Sequence, residues 1–300
     1  MKKITVFVSA LLLFFLSFIT SALAVRVAVV LSEKDRVYQK IAEVYLQTLQ
    51  KKYPDLKSLT FTLSEQDPET VRKQLLDFYP NVNFAVGKSA ADMCGKLILF
   101  PFIYTMILNP VKTDLMDSAG KNKLNCTGIK VLINPKFQFE QLKKAIPGSK
   151  IIGCIYSSRN TTDGDEMLHK AKEAATQLGL TFEAVKVQNL YEISQKFREL
   201  VKKGIDTFWL QVDPNVLSKN TLEYFIQNCK IYEINLLTFN PNHVENGASI
   251  AVYIDYSQLG KQAAEITELI LHGTPVDSIP AAEAQYTKVS LNPNFLFKKK

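Results

Sequence analysis

The amino-acid sequence predicts an α/β protein with two Rossmann-like lobes, each built on a parallel β-sheet. Short apolar, β-branched runs alternate with amphipathic stretches of helical length, which is typical of right-handed βαβ units. This alternation runs through one series and begins again near Leu132–Pro135, and no Pro/Gly/Ser-rich linker lies between the two series. A chain of 300 residues is long enough for two domains of ordinary size.

The N-terminal residues have the order of a secretory signal peptide. Lys2 and Lys3 precede an apolar run over Ile4–Ile19, and Ser21–Ala24 then supplies small residues in an A-x-A pattern. The run is short for a bilayer span, which needs about 20 apolar residues. We therefore predict cleavage after Ala24 and export to the periplasm. No Cys stands at the cleavage point, so we expect no lipoprotein anchor.

The first series contains five predicted strands. Asp67-Pro68 is a typical helix start, and the stretch after Asp35 places apolar side chains on one helical face. The strands are predicted at Val25–Leu31, Ser58–Leu63, Val82–Val86, Phe102–Leu108 and Cys126–Leu132. The helices are predicted at Asp35–Lys52, from Asp67, and at Ser89–Leu97.

The second series repeats the pattern with more helices. Gly179 and Gly204 each follow a helical stretch, where glycine commonly ends a helix. Helices are predicted at Lys136–Ala145, Thr162–Leu178, Tyr191–Lys203, Ser218–Cys229 and Tyr256–His272. Strands are predicted at Lys150–Tyr156, Thr181–Val187, Thr207–Val212, Ile231–Phe239, Ser249–Tyr253 and Gln285–Leu291.

Charge and cysteine usage exclude several classes of protein. The net charge of +7 is scattered along the chain, whereas nucleic-acid binding favours clustered basic stripes, so we expect no nucleic-acid partner. The four cysteines are too few for a disulfide scaffold and show no C-x-x-C spacing. Cys154 lies in an apolar strand and is expected to be a small buried residue. A disulfide between Cys94 and Cys126 is compatible with the sequence, and so are two free thiols.

Motifs for catalysis or cofactor binding are missing from the sequence. Gly87-Lys88-Ser89 is similar to a phosphate loop, but Val82 stands where its first glycine would be. Free N–H groups at the start of that helix could receive an anion, or the helix is an ordinary capped one. The three histidines are far apart in the sequence and predict no metal site. We therefore expect no enzymatic activity, no metal and no cofactor.

Ligands of open parallel sheets bind beyond the carboxyl ends of the strands, so the turns that follow strands are the candidate site. Ser32 and Asn109 lie in such turns of the first lobe. Asp213 ends an apolar strand, where it could bind a ligand ammonium or serve as a turn or cap residue. Tyr156 and Phe239 also end strands and could line the ligand or close a core layer. Two lobes that face each other in this way would enclose a cleft.

Several segments resemble one known family. They are Ala85–Ala91, Thr127–Ile129, Ile151–Ser158, Gly204–Asp213, Gly247–Ser249, Asp255–Tyr256, Leu259–Ala264 and Ile270–Pro275. Together they are similar to the tryptophan/tyrosine-type ABC transporter substrate-binding proteins, over about residues 82–292. This resemblance implies a type I periplasmic binding fold with a three-strand hinge. Leu108-Asn109-Pro110 departs from the Asp-Pro that many members have, and the segment before residue 80 fits poorly.

The resemblance also implies roles for particular residues. Ser89 and Ala90 would meet a ligand carboxylate at a helix N-terminus, and Asp213 would meet an amino group. Tyr156, Ser158 and Phe239 would line the second lobe. The ligand would be a small molecule, with an aromatic or other amino acid as the first candidate.

The predicted chain organisation combines the N-terminal pattern and the break between the two series with the strand crossings that this resemblance implies. It comprises a signal peptide at residues 1–24, a first lobe of 25–132 plus 250–275, and a second lobe of 133–249 plus 276–300. The implied partner is an ABC permease in the inner membrane, and the implied state is a monomer. The alternative is a periplasmic sensor that presents its closed form to a membrane receptor or histidine kinase.

Overall fold

The computed structural model describes residues 24–157, 163–285 and 287–297 and contains two six-stranded β-sheets. Most of the predicted signal peptide, residues 1–23, and the predicted site residue Ser158 lie outside the described residues. Within the described residues, no helix is both long and apolar enough to cross a membrane.

The first sheet is parallel throughout. Its strands are β1 (Arg26–Leu31), β2 (Lys57–Thr62), β3 (Val82–Val86), β4 (Phe102–Thr105), β5 (Cys126–Lys130) and β11 (Ala282–Glu283), in the order β11-β5-β4-β3-β1-β2. β3 and β4 lie at its centre and are wholly buried, as expected for parallel strands covered on both faces.

The second sheet is parallel except for one edge strand. Its strands are β6 (Ile151–Ser157), β7 (Thr181–Val187), β8 (Thr207–Trp209), β9 (Asn235–Thr238), β10 (Ile250–Ile254) and β12 (Thr287–Leu291), in the order β12-β10-β9-β8-β6-β7. β12 pairs antiparallel with β10. The predicted α/β fold class with two sheets is therefore confirmed.

Helices cover both faces of each sheet. They are α1 (Arg36–Lys52), α2 (Pro68–Phe78), α3 (Lys88–Lys96), α4 (Pro135–Ala145), α5 (Asp163–Gln177), α6 (Ile193–Lys202), α7 (Lys219–Ile231), α8 (Pro241–Glu245) and α9 (Tyr256–Leu271). Local sequence explains where several of them begin. Asp35 and Asp67 cap α1 and α2 by accepting hydrogen bonds from backbone N–H groups, and Ser218 forms a capping box with Thr221 before α7.

The packing of α9 on α1 attaches a late segment of the chain to the first lobe. A Cβ on Gly260 would collide with the backbone of α1 at Ile41 O and at Tyr45 N, 2.7 Å away, so only glycine allows this close approach. The Tyr45 and Thr267 hydroxyl oxygens are 3.0 Å apart, and Lys52 pairs with Glu268 at 2.7 Å. This contact buries one face of the first sheet.

The chain crosses between the lobes three times. It leaves the first sheet after β5, returns between β10 and α9, and leaves again between β11 and β12. The crossing points differ from the predicted boundaries: β10 pairs with β9 in the second sheet, and β11 pairs with β5 in the first. The amphipathic pattern of helix α9 contains no information about which strands pair on either side of it.

Candidate functional site

A cavity of about 550 Å³ lies between the two lobes. It sits beyond the carboxyl ends of β4, β5, β8, β9 and β10, where parallel sheets bind ligands. Its walls come from both lobes and from two of the three crossings. The lining residues are Tyr38, Met106, Leu108, Asn109, Lys112, Val131, Leu132, Ile133, Gln138, Met167, Trp209, Leu210, Gln211, Val212, Pro214, Asn215, Phe239, Ile254 and Tyr256.

Aromatic side chains form much of the cavity wall. Tyr38 and Tyr256 come from the first lobe and its crossing, and Trp209 and Phe239 come from the second lobe. Trp209 is 1% exposed, and its indole Nε1–H donates to Gln138 Oε1 at 2.8 Å. Since this polar group already has its partner, the ring offers the cavity only apolar surface.

Gln138 also connects the cavity wall to the first crossing. Its Nε2 donates to the carbonyl oxygen of Ile133 at 3.0 Å, and Ile133 lies in the segment that joins β5 to α4. The Gln138 amide thus uses its acceptor for Trp209 and one donor for the crossing. The sequence analysis did not identify Gln138, because the pattern of an amphipathic helix does not show that one glutamine is buried and bonded to both Trp209 and Ile133.

Gln211 is a polar lining residue whose amide nitrogen is unsatisfied. Its side chain is 7% exposed, and among the described residues no acceptor lies within hydrogen-bond distance of Nε2. A buried donor without a partner costs about 1–3 kcal/mol, and Gln211 Nε2 itself has almost no accessible surface. Gln211 follows Trp209 by two positions, which places it on the same side of an extended segment and was the available sequence signal.

Phe239, a residue that the sequence analysis placed at a strand end, lines the cavity, and its ring contacts His243. Its ring packs edge-on against His243 with centroids 5.4 Å apart, and His243 Nδ1 is 2.6 Å from Thr238 Oγ1. Burial lowers the pKa of the His243 imidazole, because desolvation disfavours its charged form.

Asp213 stands behind the cavity wall rather than in it. The residue is 1% exposed, and it is not among the residues that line the cavity. Its Oδ2 accepts from Ser157 N at 2.8 Å and its Oδ1 from Asn215 N at 2.9 Å. The carboxylate therefore joins the ends of β6 and β8, which is the turn role that the sequence left open beside the ligand role.

Three predicted residues of the first lobe gather at the start of α3. Ser32 and Ser89 line a separate depression of about 480 Å³, and Ser89 is exposed there. Ala90 is fully buried, and its N–H donates to Ser32 Oγ at 3.0 Å. Gly87 precedes the helix with φ of 91° and provides no side-chain cap. The backbone of this turn is thus held by Ser32.

The remaining predicted residues lie at different places. Asn109 lines the interlobe cavity and a smaller one of about 180 Å³ beside it, and its Oδ1 accepts from Lys112 N at 2.9 Å. Tyr156 is half-buried near the end of β6, opposite Lys186 of β7. Of the predicted site residues that the structure describes, Asn109 and Phe239 share the interlobe cavity.

The four cysteines are buried free thiols in the structure. Cys94 and Cys126, the possible pair, are therefore not bridged. Burial raises the pKa of the Cys94 thiol to about 12 and that of Cys126 to about 11. Over the described part of the chain, no cluster of three or more His, Cys, Asp or Glu residues could hold a metal ion.

Comparison with known proteins identifies the family of this chain and several proteins that are similar to it. The model of a family described as ABC transporter substrate binding protein matches residues 24–300. A tyrosine-binding protein of Clostridioides difficile (strain R20291) is 26% identical over 201 residues, which are 65% of this chain and 56% of the relative. The chain thus aligns with little more than half of that relative's length.

Two solved structures resemble the whole described molecule. A substrate-binding protein with adhesive properties from Clostridium difficile, in its ligand-free, open structure, superposes with a TM-score of 0.75 at 19% identity, covering 92% of this chain and 95% of that one. An ABC domain from Streptococcus pneumoniae in complex with L-Trp gives a TM-score of 0.60 at 21% identity, covering 90% and 92%. At these identities the likeness shows a shared fold.

Proposed function

Because the chain belongs to the family of ABC transporter substrate-binding proteins, we propose that it captures a small solute between its lobes for an ABC importer. The observation that carries this proposal is the interlobe cavity, whose walls come from both lobes and from the segments that cross between them. A solute bound there contacts both lobes at once. Its binding energy therefore favours the conformation in which the lobes are closed around it.

The crossings would serve as the hinge of this closure. Val131, Leu132 and Ile133 follow β5, and Ile254 and Tyr256 flank the return to α9, so both segments lie at the cavity wall. A change of backbone dihedrals in a few such residues moves one lobe relative to the other without disturbing either core. The closed form would then be the one that a membrane permease recognises.

The ligand is proposed to carry a flat apolar part. Four aromatic rings line the cavity, and aromatic side chains favour stacked or edge-on contacts with planar groups. The names of the relatives support the same direction, since one is called tyrosine-binding and another was solved with L-Trp. Aromatic amino acids are thus the first candidates. We further propose that the protein acts as an exported, non-enzymatic monomer.

Thermal unfolding of the mature, ligand-stripped protein tests solute capture. The panel contains amino acids, aromatic acids, nucleosides, sugars and small anions. A ligand present at about 100 times its Kd stabilises the folded state by about 2.7 kcal/mol and raises Tm by several degrees. Phe239→Ala removes one wall of the cavity and should raise the Kd about three- to tenfold, because an aromatic contact is lost.

The matched control is Tyr191→Ala, which removes an aromatic ring that is 95% exposed in the same lobe. It should leave the ligand-induced shift unchanged. A panel without any hit, or equal losses in the two variants, contradicts capture in this cavity. Small-angle scattering provides an independent check, since closure on the ligand should reduce the radius of gyration.

A further inference from the structure

Methionines are concentrated around the interlobe cavities. The chain has five methionines, and three of them line these spaces. Met106 lines the cavity of about 550 Å³, Met116 lines the neighbouring one of about 180 Å³, and Met167 lines both. Of the other two, Met1 belongs to the predicted signal peptide and Met93 lines the depression beside α3. This distribution indicates a role for methionine where the lobes meet.

Met106 and Met167 line the larger cavity from opposite lobes. Met106 directly follows β4 of the first sheet, and Met167 lies near the start of α5 in the second lobe. Both side chains are half-buried. Met106 packs against the core cluster that contains Phe84, and Met167 packs against the one that contains Phe139. Each methionine is thus supported by its own lobe on one side and borders the cavity on the other.

The backbone conformation of Met106 is unfavourable for a residue with a side chain. Its φ is 59°, in the left-handed region that glycine adopts freely and that other residues adopt at a cost. Such conformations persist where the surrounding structure enforces them, and they are frequent at ligand sites. A glycine would fit this position with less strain, but it would leave the cavity wall without the methionine side chain.

Methionine side chains adapt their shape to the groups that they contact. The chain is unbranched, with three rotatable bonds and a polarizable thioether that makes favourable contacts with aromatic rings. Stiff aromatic rings form another part of the same wall, and they are Tyr38, Trp209, Phe239 and Tyr256. In a rigid apolar pocket, a difference of one methylene in the ligand already changes binding about tenfold or more. Methionines that repack can reduce this discrimination.

We infer that Met106 and Met167 set the breadth of ligand specificity, because they allow the cavity to bind aromatic ligands of different ring size with similar affinity. This inference rests on the proposed function and adds the range of ligands that the cavity accepts. The aromatic rings of the wall hold the plane of the ligand. The two methionines fill the space beside a small ring and move away from a larger one.

Isothermal titration of the mature protein tests the inference with three probes of increasing ring size. They are L-phenylalanine, L-tryptophan and 3-(2-naphthyl)-L-alanine. Their Kd values should lie within about fivefold of one another, whereas a rigid pocket separates such ligands by about tenfold or more. The double variant Met106→Leu with Met167→Leu nearly conserves volume and replaces the flexible chains by shorter, branched ones. It should spread the three Kd values over about tenfold or more.

Two further variants separate the side chains from their surroundings. Met93→Leu, which replaces a methionine of the depression beside α3, is the matched control and should leave the three Kd values unchanged. Met106→Gly relieves the positive φ, so its Tm should change little. Loss of the side chain should weaken L-phenylalanine most, because the smallest ring depends most on the methionine that fills the space beside it.

Methyl NMR of protein labelled with ¹³C at the methionine ε-carbons gives a direct readout. The signals of Met106 and Met167 should move when each probe binds, and the size of the movement should differ between probes, because the ring lies at a different distance from each methyl group. The signal of Met93 should stay in place.

The outcomes separate this inference from the proposed function. Wild-type Kd values that differ by about tenfold or more, or a spread that the double variant leaves unchanged, overturn the inference and leave solute capture intact. Signals of Met106 and Met167 that stay in place while a probe binds also overturn it. Silence of all three probes overturns the inference, and only silence across the wider solute panel would also remove the proposed function.

Discussion

The indole nitrogen of Trp209 and the amide oxygen of Gln138 are 2.8 Å apart, and both residues line the interlobe cavity. The hydrogen bond connects the last residue of β8 to helix α4, and a second hydrogen bond joins Gln138 to Ile133 in the first crossing. Trp209 is the chain's single tryptophan. Its emission therefore reports on the cavity wall without interference from any other indole.

Ligand binding should change the intrinsic fluorescence of Trp209. A solute placed against the ring alters its contacts, so the emission should shift or be quenched in a saturable way that follows the calorimetric Kd. Trp209→Phe should lose the signal and still bind. A ligand that binds by calorimetry and leaves the tryptophan spectrum untouched would place the binding site elsewhere.

Gln138→Leu should destabilise the second lobe. The substitution leaves the buried indole N–H without an acceptor, at a cost of about 1–3 kcal/mol, and it also removes the bond to Ile133 O. Urea unfolding followed by circular dichroism measures the loss. The double variant Gln138→Leu with Trp209→Phe should recover part of it, because no unpaired donor remains. Additive effects of the two substitutions would argue against the pairing.

Asp213→Ala should lower stability and retain ligand binding. Two backbone N–H groups, those of Ser157 and Asn215, lose a charged acceptor, which costs about 3 kcal/mol. At a temperature where the variant remains folded, the ligand-induced rise in Tm should persist. The exposed Asp77→Ala is the control for removal of a carboxylate. If Asp213→Ala kept its stability and abolished binding, the residue would be a ligand contact instead.

Gly260→Ala should separate α9 from α1. The added methyl group would meet the backbone of Ile41 and Tyr45, which can move only if the helices part, at about 3 kcal/mol or more. Gly204→Ala, where φ is 78° and a Cβ meets open space, should cost only about 1 kcal/mol. Thermal unfolding compares the two variants. Equal costs would show that the close helix contact is absent in solution.

Alkaline pH should weaken the first lobe through its buried thiols. The pKa values of Cys94 and Cys126 are raised from 9.0 to about 12 and about 11, because burial disfavours the thiolate. The unfolded chain releases these protons above about pH 9, whereas the folded chain retains them. Stability is therefore fully present below about pH 9 and is lost as pH rises toward 11, by ~2 kcal/mol per thiol near pH 10.5.

Urea midpoints measured between about pH 8 and 10.5 test this dependence. The double variant Cys94→Ala, Cys126→Ala should show a shallower decline with pH than the wild type. In native buffer all four thiols should resist alkylation and should react once urea unfolds the chain. A thiol that reacts rapidly in the native protein would contradict its burial.

Sequence reasoning reached the fold class because the relevant signals are local. Runs such as Val27–Leu31 are apolar on both faces, and starts such as Asp67-Pro68 are encoded by adjacent residues, so the structure confirms two parallel-dominated α/β sheets. The family resemblance is confirmed as well. The crossing points were predicted less well, since strand pairing of β10 and β11 depends on residues far away in the chain.

The candidate site was harder to predict than the fold, because its contacts join residues that are far apart in the sequence. The sequence indicated Phe239 and Asn109 because they end strands or start turns, and both residues line the interlobe cavity. Gln138 was not, since its role depends on the position of an indole 71 residues away. The ligand role considered for Asp213 rested on a correct position at a strand end. The geometry of two neighbouring backbone N–H groups, which no sequence pattern reveals, directs its carboxylate away from the cavity.

The contact between α9 and α1 has a consequence for synthesis on the ribosome. The bonded residues Tyr45 and Thr267 are 222 positions apart, so the first lobe is begun early and completed late. Until α9 leaves the exit tunnel, the apolar face of the first sheet lacks its cover, while α4 to α8 of the second lobe have already emerged. The N-terminal half of the nascent chain is therefore the part that needs chaperone protection for longest, and the second lobe still waits for its edge strand β12, which is synthesised after α9.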